Sequence, residues 1–152
     1  MIKPELLRQQ QVLLQDVDSA GLDKIAKIIK HVTVKKGEPL FKEKDDTQGL
    51  WLINSGKIEI SRVTADGWRQ TLVVLPAGHF FGELSILENR KHVASAVALE
   101  DSDLFLIPKE DFDRMMEEDC ALALYIVKKI AIVMSKNLRR MNDKFLSALI
   151  SY

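Results

Sequence analysis

Apolar residues in the first thirty positions recur at the spacing expected of helices. They form an earlier and a later group: Leu6, Leu7, Val12, Leu13 and Leu14, then Leu22, Ile25, Ile28 and Ile29. Members of the later group are three or four residues apart or adjacent, as on one face of a helix. Asp18 or Ser19 can cap this second helix with a side-chain oxygen. The pattern therefore predicts helices within residues 1–30.

From His31 to Ile107 the pattern changes to short β-rich runs separated by turns that contain glycine. The turns are Gly37, Asn54-Ser55-Gly56, Asp66-Gly67 and Pro76-Ala77-Gly78. Many short strands at this spacing are typical of antiparallel sheets. We expect an antiparallel closed barrel or jelly roll (a jelly-roll barrel, or double-stranded β-helix) over residues 31–107, because this arrangement removes exposed strand edges. The fold class is then α+β, mainly β.

Two stretches of this region have the pattern of β-hairpins. In "GLWLINSGKIEISRV", Leu50 and Leu52 precede a turn at Asn54-Ser55-Gly56, and Ile58 and Ile60 follow it with the same two-residue period. The stretch "ISRVTADGWRQTLVVL" has a similar form around Asp66-Gly67. Alternation on both sides of a short turn predicts that the flanking strands pair with each other.

Residues 109–150 return to a helical pattern, and the segment from Cys120 onwards contains neither proline nor glycine. One apolar stripe steps by three and four residues alternately: Leu124, Val127, Ala131, Met134, Leu138, Met141, Phe145 and Ala148. A second stripe covers another side of the first half: Leu122, Ile126, Ile130 and Val133. The first stripe, called the seam below, has the rhythm by which two helices pack together. We therefore expect a homodimer through residues 121–150; the alternative is that the whole helix packs against its own chain.

Composition narrows the function classes. The 152 residues, 47% of them hydrophobic, suit a single domain over 1–152, and Lys plus Arg equals Asp plus Glu at 22 each. The formal net charge is therefore zero, so the protein has no overall positive charge that would attract DNA or an anionic membrane. No apolar stretch is long enough to span a bilayer or to resemble a secretory leader, so we expect a cytoplasmic protein.

Cys120 is the only cysteine and is expected to be buried. The histidines lack metal-ligand spacing, so no metal site is predicted.

The stretch "FFGELSILENRKHVASAV" at residues 80–97 has the features of an anion site. A glycine lets a ligand approach the backbone, and a helix N-terminus presents unpaired amides. Together with "KKGEPLFKEKD" and "WLINSGKIEI", this stretch resembles the cyclic nucleotide-binding domain family, which includes bacterial catabolite activators and the regulatory subunits of protein kinase A. The resemblance covers roughly residues 19–137, and residues 78–97 correspond to the family's phosphate cassette.

The resemblance implies roles for individual residues of the cassette. Gly82 and Glu83 take the places of the family's glycine and glutamate, so Glu83 would accept a hydrogen bond from the ribose 2′-hydroxyl. Amides near Leu84, Ser85 and Val93 would point at the cyclic phosphate. The ligand would be cyclic AMP or cyclic GMP, and no other cofactor is implied.

This chain departs from the family pattern where an arginine is expected. That position falls on His92, with Arg90 two residues earlier as a substitute phosphate ligand. Arginine donates two parallel bonds to a phosphate and stays charged, whereas histidine offers one bond. Losing one charged hydrogen bond weakens binding by roughly ten- to a hundredfold. Val93 would also crowd the phosphate. The alternative interpretation of His92 is an ordinary surface-loop histidine.

A second departure lies in "EKDD" at residues 43–46, where many members of the family have an acidic residue, glycine and aspartate. We expect this change to affect only the turn.

The sequence thus predicts a dimeric sensor or regulatory domain with a weakened or altered phosphate site and no catalytic residues. Transcriptional activators of the family carry a helix-turn-helix after the long helix, and this chain ends at Tyr152, so direct DNA binding is not expected. Membrane contact is not expected either, and the downstream protein partner is unknown. Two alternatives stay open: a degenerate domain that acts as a dimeric interaction scaffold, and a sensor of another small anion.

Overall fold

The computed structural model describes residues 2–150, and its N-terminal and C-terminal segments are helical as predicted. The helices are α1 Pro4–Gln10, a 3-10 turn Val12–Leu14, α2 Ser19–Ile28, α3 Glu83–Glu88, α4 Lys109–Glu118 and α5 Cys120–Ile150. Of the two predicted caps for α2, Asp18 is the one used. Its carboxylate accepts a hydrogen bond from the amide of Gly21 at 2.7 Å, which satisfies one of the unpaired donors in the first turn.

The middle of the chain forms two four-stranded antiparallel sheets in the described residues. The strands are β1 Lys30–Val34, β2 Pro39–Phe41, β3 Gly49–Ser55, β4 Lys57–Val63, β5 Arg69–Pro76, β6 Phe80–Phe81, β7 Ser95–Ala98 and β8 Ser102–Pro108. The first sheet has the strand order β1-β8-β3-β6 and the second β2-β7-β4-β5. This is the predicted antiparallel jelly roll, although the two sheets remain separate and are not closed into one barrel.

One of the two predicted hairpins is confirmed and the other is wrong. Strands β4 and β5 pair around the Asp66-Gly67 turn, where the amide of Thr64 donates to the carbonyl of Trp68 at 2.7 Å. Strands β3 and β4, in contrast, lie in different sheets. The chain crosses between them at Gly56, where φ is 98° and a Cβ atom would lie 2.0 Å from the hydroxyl oxygen of Ser102. A two-residue period alone cannot distinguish a paired neighbour from such a crossing.

The first sheet lies between the helices and the second sheet, so β3 is buried on both faces. Leu50 and Leu52 pack into a cluster with the helices, and Trp51 and Ile53 pack into a second cluster between the two sheets. A strand covered on both faces reads as a continuous apolar run, which accounts for "LWLI" in β3.

Helix α5 has two unlike halves. In its first half Leu122, Ile126 and Ile130 are buried against the jelly roll and its helices, as the second stripe predicted. From residue 134 to 150 every residue is exposed. The alternative that the whole helix packs against its own chain is therefore wrong, because about 25 Å of it projects beyond the domain. Cys120 is exposed at the start of α5, contrary to the expected burial.

Candidate functional site

The cassette begins with a turn that only glycine fits well. Gly82 precedes α3 in the left-handed conformation, with φ of 86°. A Cβ atom there would lie 3.1 Å from the carbonyl oxygen of Gly49 and 3.3 Å from Cδ1 of Trp51. Glycine thus permits both the backbone conformation and the close approach of the turn to β3.

Glu83 is the first residue of α3 and is partly buried. Burial raises the pKa of its carboxyl above the usual value, and a hydrogen bond from its own backbone amide opposes this effect. The next two side chains point in different directions, because Leu84 is exposed and Ser85 is buried. The first hydrogen bond of α3 runs from the amide of Ile86 to the carbonyl of Gly82 at 3.3 Å. The amides of Leu84 and Ser85 lie before it in the first turn, where backbone amides have no acceptor within the helix.

His92 is buried, with 4% of its surface exposed, so its interpretation as a surface-loop histidine is wrong. Its ring stacks on Phe41 with the centroids 3.5 Å apart and the planes 6° from parallel. Its Nδ1 lies 2.9 Å from the hydroxyl oxygen of Ser85. The backbone is held as well, since the amide of His92 donates to the carbonyl of Asp45 at 2.9 Å and its carbonyl accepts from the amide of Lys44 at 2.8 Å.

Burial lowers the pKa of the His92 imidazole below its usual value, and the nearby carboxylate of Asp45 opposes this shift. The neutral ring is therefore the favoured form. If the ordinary histidine pKa applied, His92 would gain charge as the pH falls from 8 to 6. The buried environment moves that gain to lower pH.

The two cations of the cassette are exposed and paired with carboxylates. Arg90 places Nε 2.5 Å from a carboxylate oxygen of Glu88, and Lys91 lies 3.9 Å from Asp46. The structure thus brings His92 and Ser85 together and directs Arg90 to Glu88. Val93, the last of the predicted site residues, is partly buried.

Three aromatic side chains in or beside the cassette, Trp51, Phe81 and Phe41, were not among the predicted site residues. Trp51 and Phe81 stack with centroids 6.1 Å apart and planes 5° from parallel, and Phe81 lies 6.0 Å from Phe41. With the Phe41–His92 stack, these rings form a continuous series. The available signal was the apolar run "LWLI", which indicates a strand buried on both faces and hence an inward-pointing Trp51.

Other site types have no support in residues 2–150. No group of three or more His, Cys, Asp or Glu side chains in that range could hold a metal ion. None of the described helices is both long and apolar enough to cross a membrane.

Several curated proteins are similar to part of this chain, including one from Thermus thermophilus and one from Bacillus subtilis. The Cyclic AMP receptor protein of Thermus thermophilus is 40% identical over 77 residues, which are 51% of this chain and 36% of the receptor. The Anaerobic regulatory protein of Bacillus subtilis is 33% identical over 112 residues, which are 73% of this chain and 45% of that protein. The chain thus spans less than half of either relative.

The fold is similar to a solved structure as well. The Catabolite Activator Protein of Thermus thermophilus has a TM-score of 0.76 and 27% identity, over 89% of this chain and 62% of that one. A model of the Cyclic nucleotide-binding domain family matches residues 31–119, which contain both sheets except the first residue of β1, together with the cassette and α4. The chain therefore belongs to the cyclic nucleotide-binding domain family.

Proposed function

We propose that this chain is a dimeric regulatory domain of the cyclic nucleotide-binding type, that its phosphate site is weakened, and that it catalyses no reaction. The observation that carries the proposal is the burial of the His92 imidazole, which lowers its pKa, at the position where the family resemblance places an arginine. Cyclic AMP and cyclic GMP are the ligands considered, because a relative is named as a cyclic AMP receptor.

The proposed ligand position lies between the sheets and the cassette. Glu83 would accept a hydrogen bond from the ribose, and the amides of Leu84, Ser85 and Val93 would face the phosphate. The left-handed Gly82 allows the start of α3, which carries Glu83, to lie close against β3. A neutral histidine supplies one hydrogen bond in place of two charged ones, so phosphate binding should be weaker by about ten- to a hundredfold than with arginine.

Isothermal titration calorimetry with cyclic AMP and cyclic GMP tests this proposal on the native protein and on His92→Arg. We expect weak binding to the native protein and an affinity about ten- to a hundredfold higher for the variant. Lys91→Arg is the matched control, because it adds a guanidinium one residue away at an exposed position and should bring no gain. Thermal unfolding of each variant checks that the fold is retained. If folded His92→Arg binds no better than the native protein, His92 does not occupy the arginine position.

The interaction-scaffold alternative is favoured by one observation. Phe41 and His92 are in contact at 3.5 Å, so their rings fill part of the space between the sheets. Absence of cyclic nucleotide binding in both the native protein and His92→Arg would support a scaffold. Sulfate and phosphate in the same titrations test the remaining alternative, a sensor of another small anion.

In the proposed dimer, a change at the cassette would reach the second chain through α5. Ile86 of α3 belongs to the same buried cluster as Leu122 and Ile126 of α5, so the cassette and the long helix share one core. A ligand that binds one arrangement of this core more tightly would shift the position of α5.

We include no direct DNA or membrane contact, because positive and negative charges balance. We also propose a cytoplasmic location, which the single cysteine supports because it allows no disulfide within the chain. The downstream partner is a protein still to be identified.

A further inference from the structure

The projecting half of α5 carries positive charge on the side away from the seam. The charged residues of 134–150 are four cations and one carboxylate: Lys136, Arg139, Arg140, Lys144 and Asp143. At about 100° per residue, Lys136, Arg139 and Arg140 fall in one arc opposite the seam. This exposed surface is called the basic face below, and none of its three cations forms an ion pair within residues 2–150. A dimer through the seam would leave the basic face uncovered.

Helix α4 presents charge of the opposite sign. The stretch "KEDFDRMMEED" at residues 109–119 contains six carboxylates and two cations. Phe112 and Met115 are buried, so Glu110 and Glu117, which are seven residues apart, lie together on the outer side of the helix. This surface is called the acidic face below. Neither of its two glutamates forms an ion pair with another described residue.

The two faces of one chain do not neutralise each other. Glu117 lies three residues before the start of α5 at Cys120, whereas Lys136 lies sixteen residues after it, about 24 Å along the helix. No ion pair joins the two faces in the part of the chain that the structure describes. Both charges are therefore available to another molecule.

The two faces match in sign and in length. The cations of the basic face extend over about 6 Å of α5, and the glutamates of the acidic face over about 10 Å of α4, a difference that long lysine, arginine and glutamate side chains can bridge. Each exposed ion pair contributes little to binding, so several must act together. Such a contact is weak and is sensitive to salt.

We propose that the basic face of one chain binds the acidic face of a second copy of this chain, and that this contact joins dimers into larger assemblies. The two faces lie on different helices, so the contact is heterologous. A chain whose acidic face is occupied still offers its basic face to a third chain, and the assembly stays open-ended. This inference goes beyond the proposed function and uses the seam dimer only as the unit that assembles.

Sedimentation velocity of the native chain over a concentration series tests the inference at about 0.01 M and about 1 M salt. At 1 M we expect the dimer, because salt screens exposed charges but does not weaken an apolar seam. At 0.01 M we expect species larger than the dimer, whose share increases with concentration. A monomer at 1 M would contradict the dimer of the proposed function, and the increase in mass at low salt would still test the two faces.

Charge reversal locates the contact. Lys136→Glu with Arg140→Glu reverses the basic face, and Glu110→Lys with Glu117→Lys reverses the acidic face. Either pair alone should weaken the association beyond the dimer by at least about tenfold, because like charges then meet. All four changes in one chain restore opposite charges and a net charge of zero, and should recover the association. Thermal unfolding shows whether each variant is folded; Glu110→Gln with Glu117→Gln replaces the acidic-face reversal if that variant is not.

A matched control separates the position of the charges from the net charge. Lys35→Glu with Lys36→Glu changes the net charge by the same amount as the basic-face reversal, at exposed positions outside both faces. This control should keep more of the association at low salt than the basic-face reversal. Equal losses in the two variants would overturn the inference, because net charge alone would then set the association.

A native chain that never exceeds the dimer at about 0.01 M salt would also overturn the inference, and so would a folded four-change variant that does not assemble. Phosphatidylserine vesicles and a double-stranded oligonucleotide at the same salt test the other anions. If either binds the native chain but not the basic-face reversal, and no self-association is seen, the basic face serves that anion and the inference is wrong.

Discussion

Lys44 adopts a backbone conformation that suits glycine better than lysine. Its φ is 74°, and its amide donates to the carbonyl of His92 at 2.8 Å, so the turn that carries Lys44 also holds the cassette. A left-handed conformation costs a residue with a Cβ atom about 1–2 kcal/mol. Many members of the family have glycine at the corresponding place, so the departure noted in "EKDD" is a source of strain beside the candidate site.

Lys44→Gly should therefore raise the free energy of unfolding by about 1 kcal/mol, since relief of the strain exceeds the added entropy of the unfolded chain. Lys42→Gly is the control, because Lys42 has an ordinary backbone conformation and glycine there should be destabilising. Urea unfolding of the three proteins measures both effects. Equal losses in the two variants would show that Lys44 is not strained.

His92 should make stability depend on pH. Burial lowers its pKa in the folded protein, whereas the unfolded chain takes up a proton with a pKa of about 6.5. As the pH falls below that value the unfolded state binds more protons, so the free energy of unfolding decreases. The contribution of neutral His92 to stability is complete above the pKa that His92 has in the unfolded chain. It is lost as the pH falls through the lower pKa that His92 has in the folded protein.

We expect His92→Gln to lose less stability than the native protein between pH 8 and about 5.5, as measured by urea unfolding at each pH. His79→Gln is a suitable control, since it makes the same substitution at an exposed histidine. Identical pH slopes for His92→Gln and the native protein would contradict a buried neutral imidazole.

At the residue scale, the sequence indicated the local backbone around Gly82 better than the contacts between distant side chains. The turn at Gly82 and the short helix after it could be predicted, because backbone geometry depends on short stretches of chain. The stacking of Phe41 on His92 could not be, because β2 and the end of the cassette are about fifty residues apart and meet only through sheet pairing. The same holds for Trp51, whose direction depends on which layers cover β3.

At the scale of the elements, the projecting half of α5 is notable for its exposed apolar residues. Its seam residues in the projecting half are exposed, and Leu138 is one of them at 59%. Large apolar side chains at this regular spacing are stabilised when a second helix covers them. The helix period is a local property of the sequence, so the long helix and the buried stripe of its first half were predicted correctly, while the strand partners of β3 were not.

Leu138→Glu should convert the proposed dimer into a monomer, because it buries a carboxylate in the seam. Leu146→Glu is the matched control, since Leu146 is 55% exposed on the same helix but lies outside the seam, and it should remain dimeric. Sedimentation equilibrium distinguishes the two. A native protein that is monomeric at every concentration, or equal behaviour of the two variants, would contradict pairing through the seam.

For the whole molecule, association and folding should be linked. If the projecting half of α5 is covered only in a dimer, the dimer is more stable than the separated chains and dilution favours unfolding. The melting temperature of the native protein should then fall on about a hundredfold dilution, whereas that of Leu138→Glu should stay constant. Differential scanning fluorimetry over a concentration series measures both, and a native melting temperature that does not change would contradict the link.

The pairing of β1 with β8 also sets when this protein can fold during its synthesis. Val32 of β1 lies opposite Leu104 of β8, so the two partners are about 70 residues apart in the chain. A ribosome that adds about 5–20 residues per second needs roughly 4 to 14 s to make the second after the first. During this interval β1 lacks its partner, although the local contacts within α1 and α2 can already form. A ribosome that has finished the cassette has therefore not yet made a folded domain, and the first sheet can close only when one of the last strands emerges.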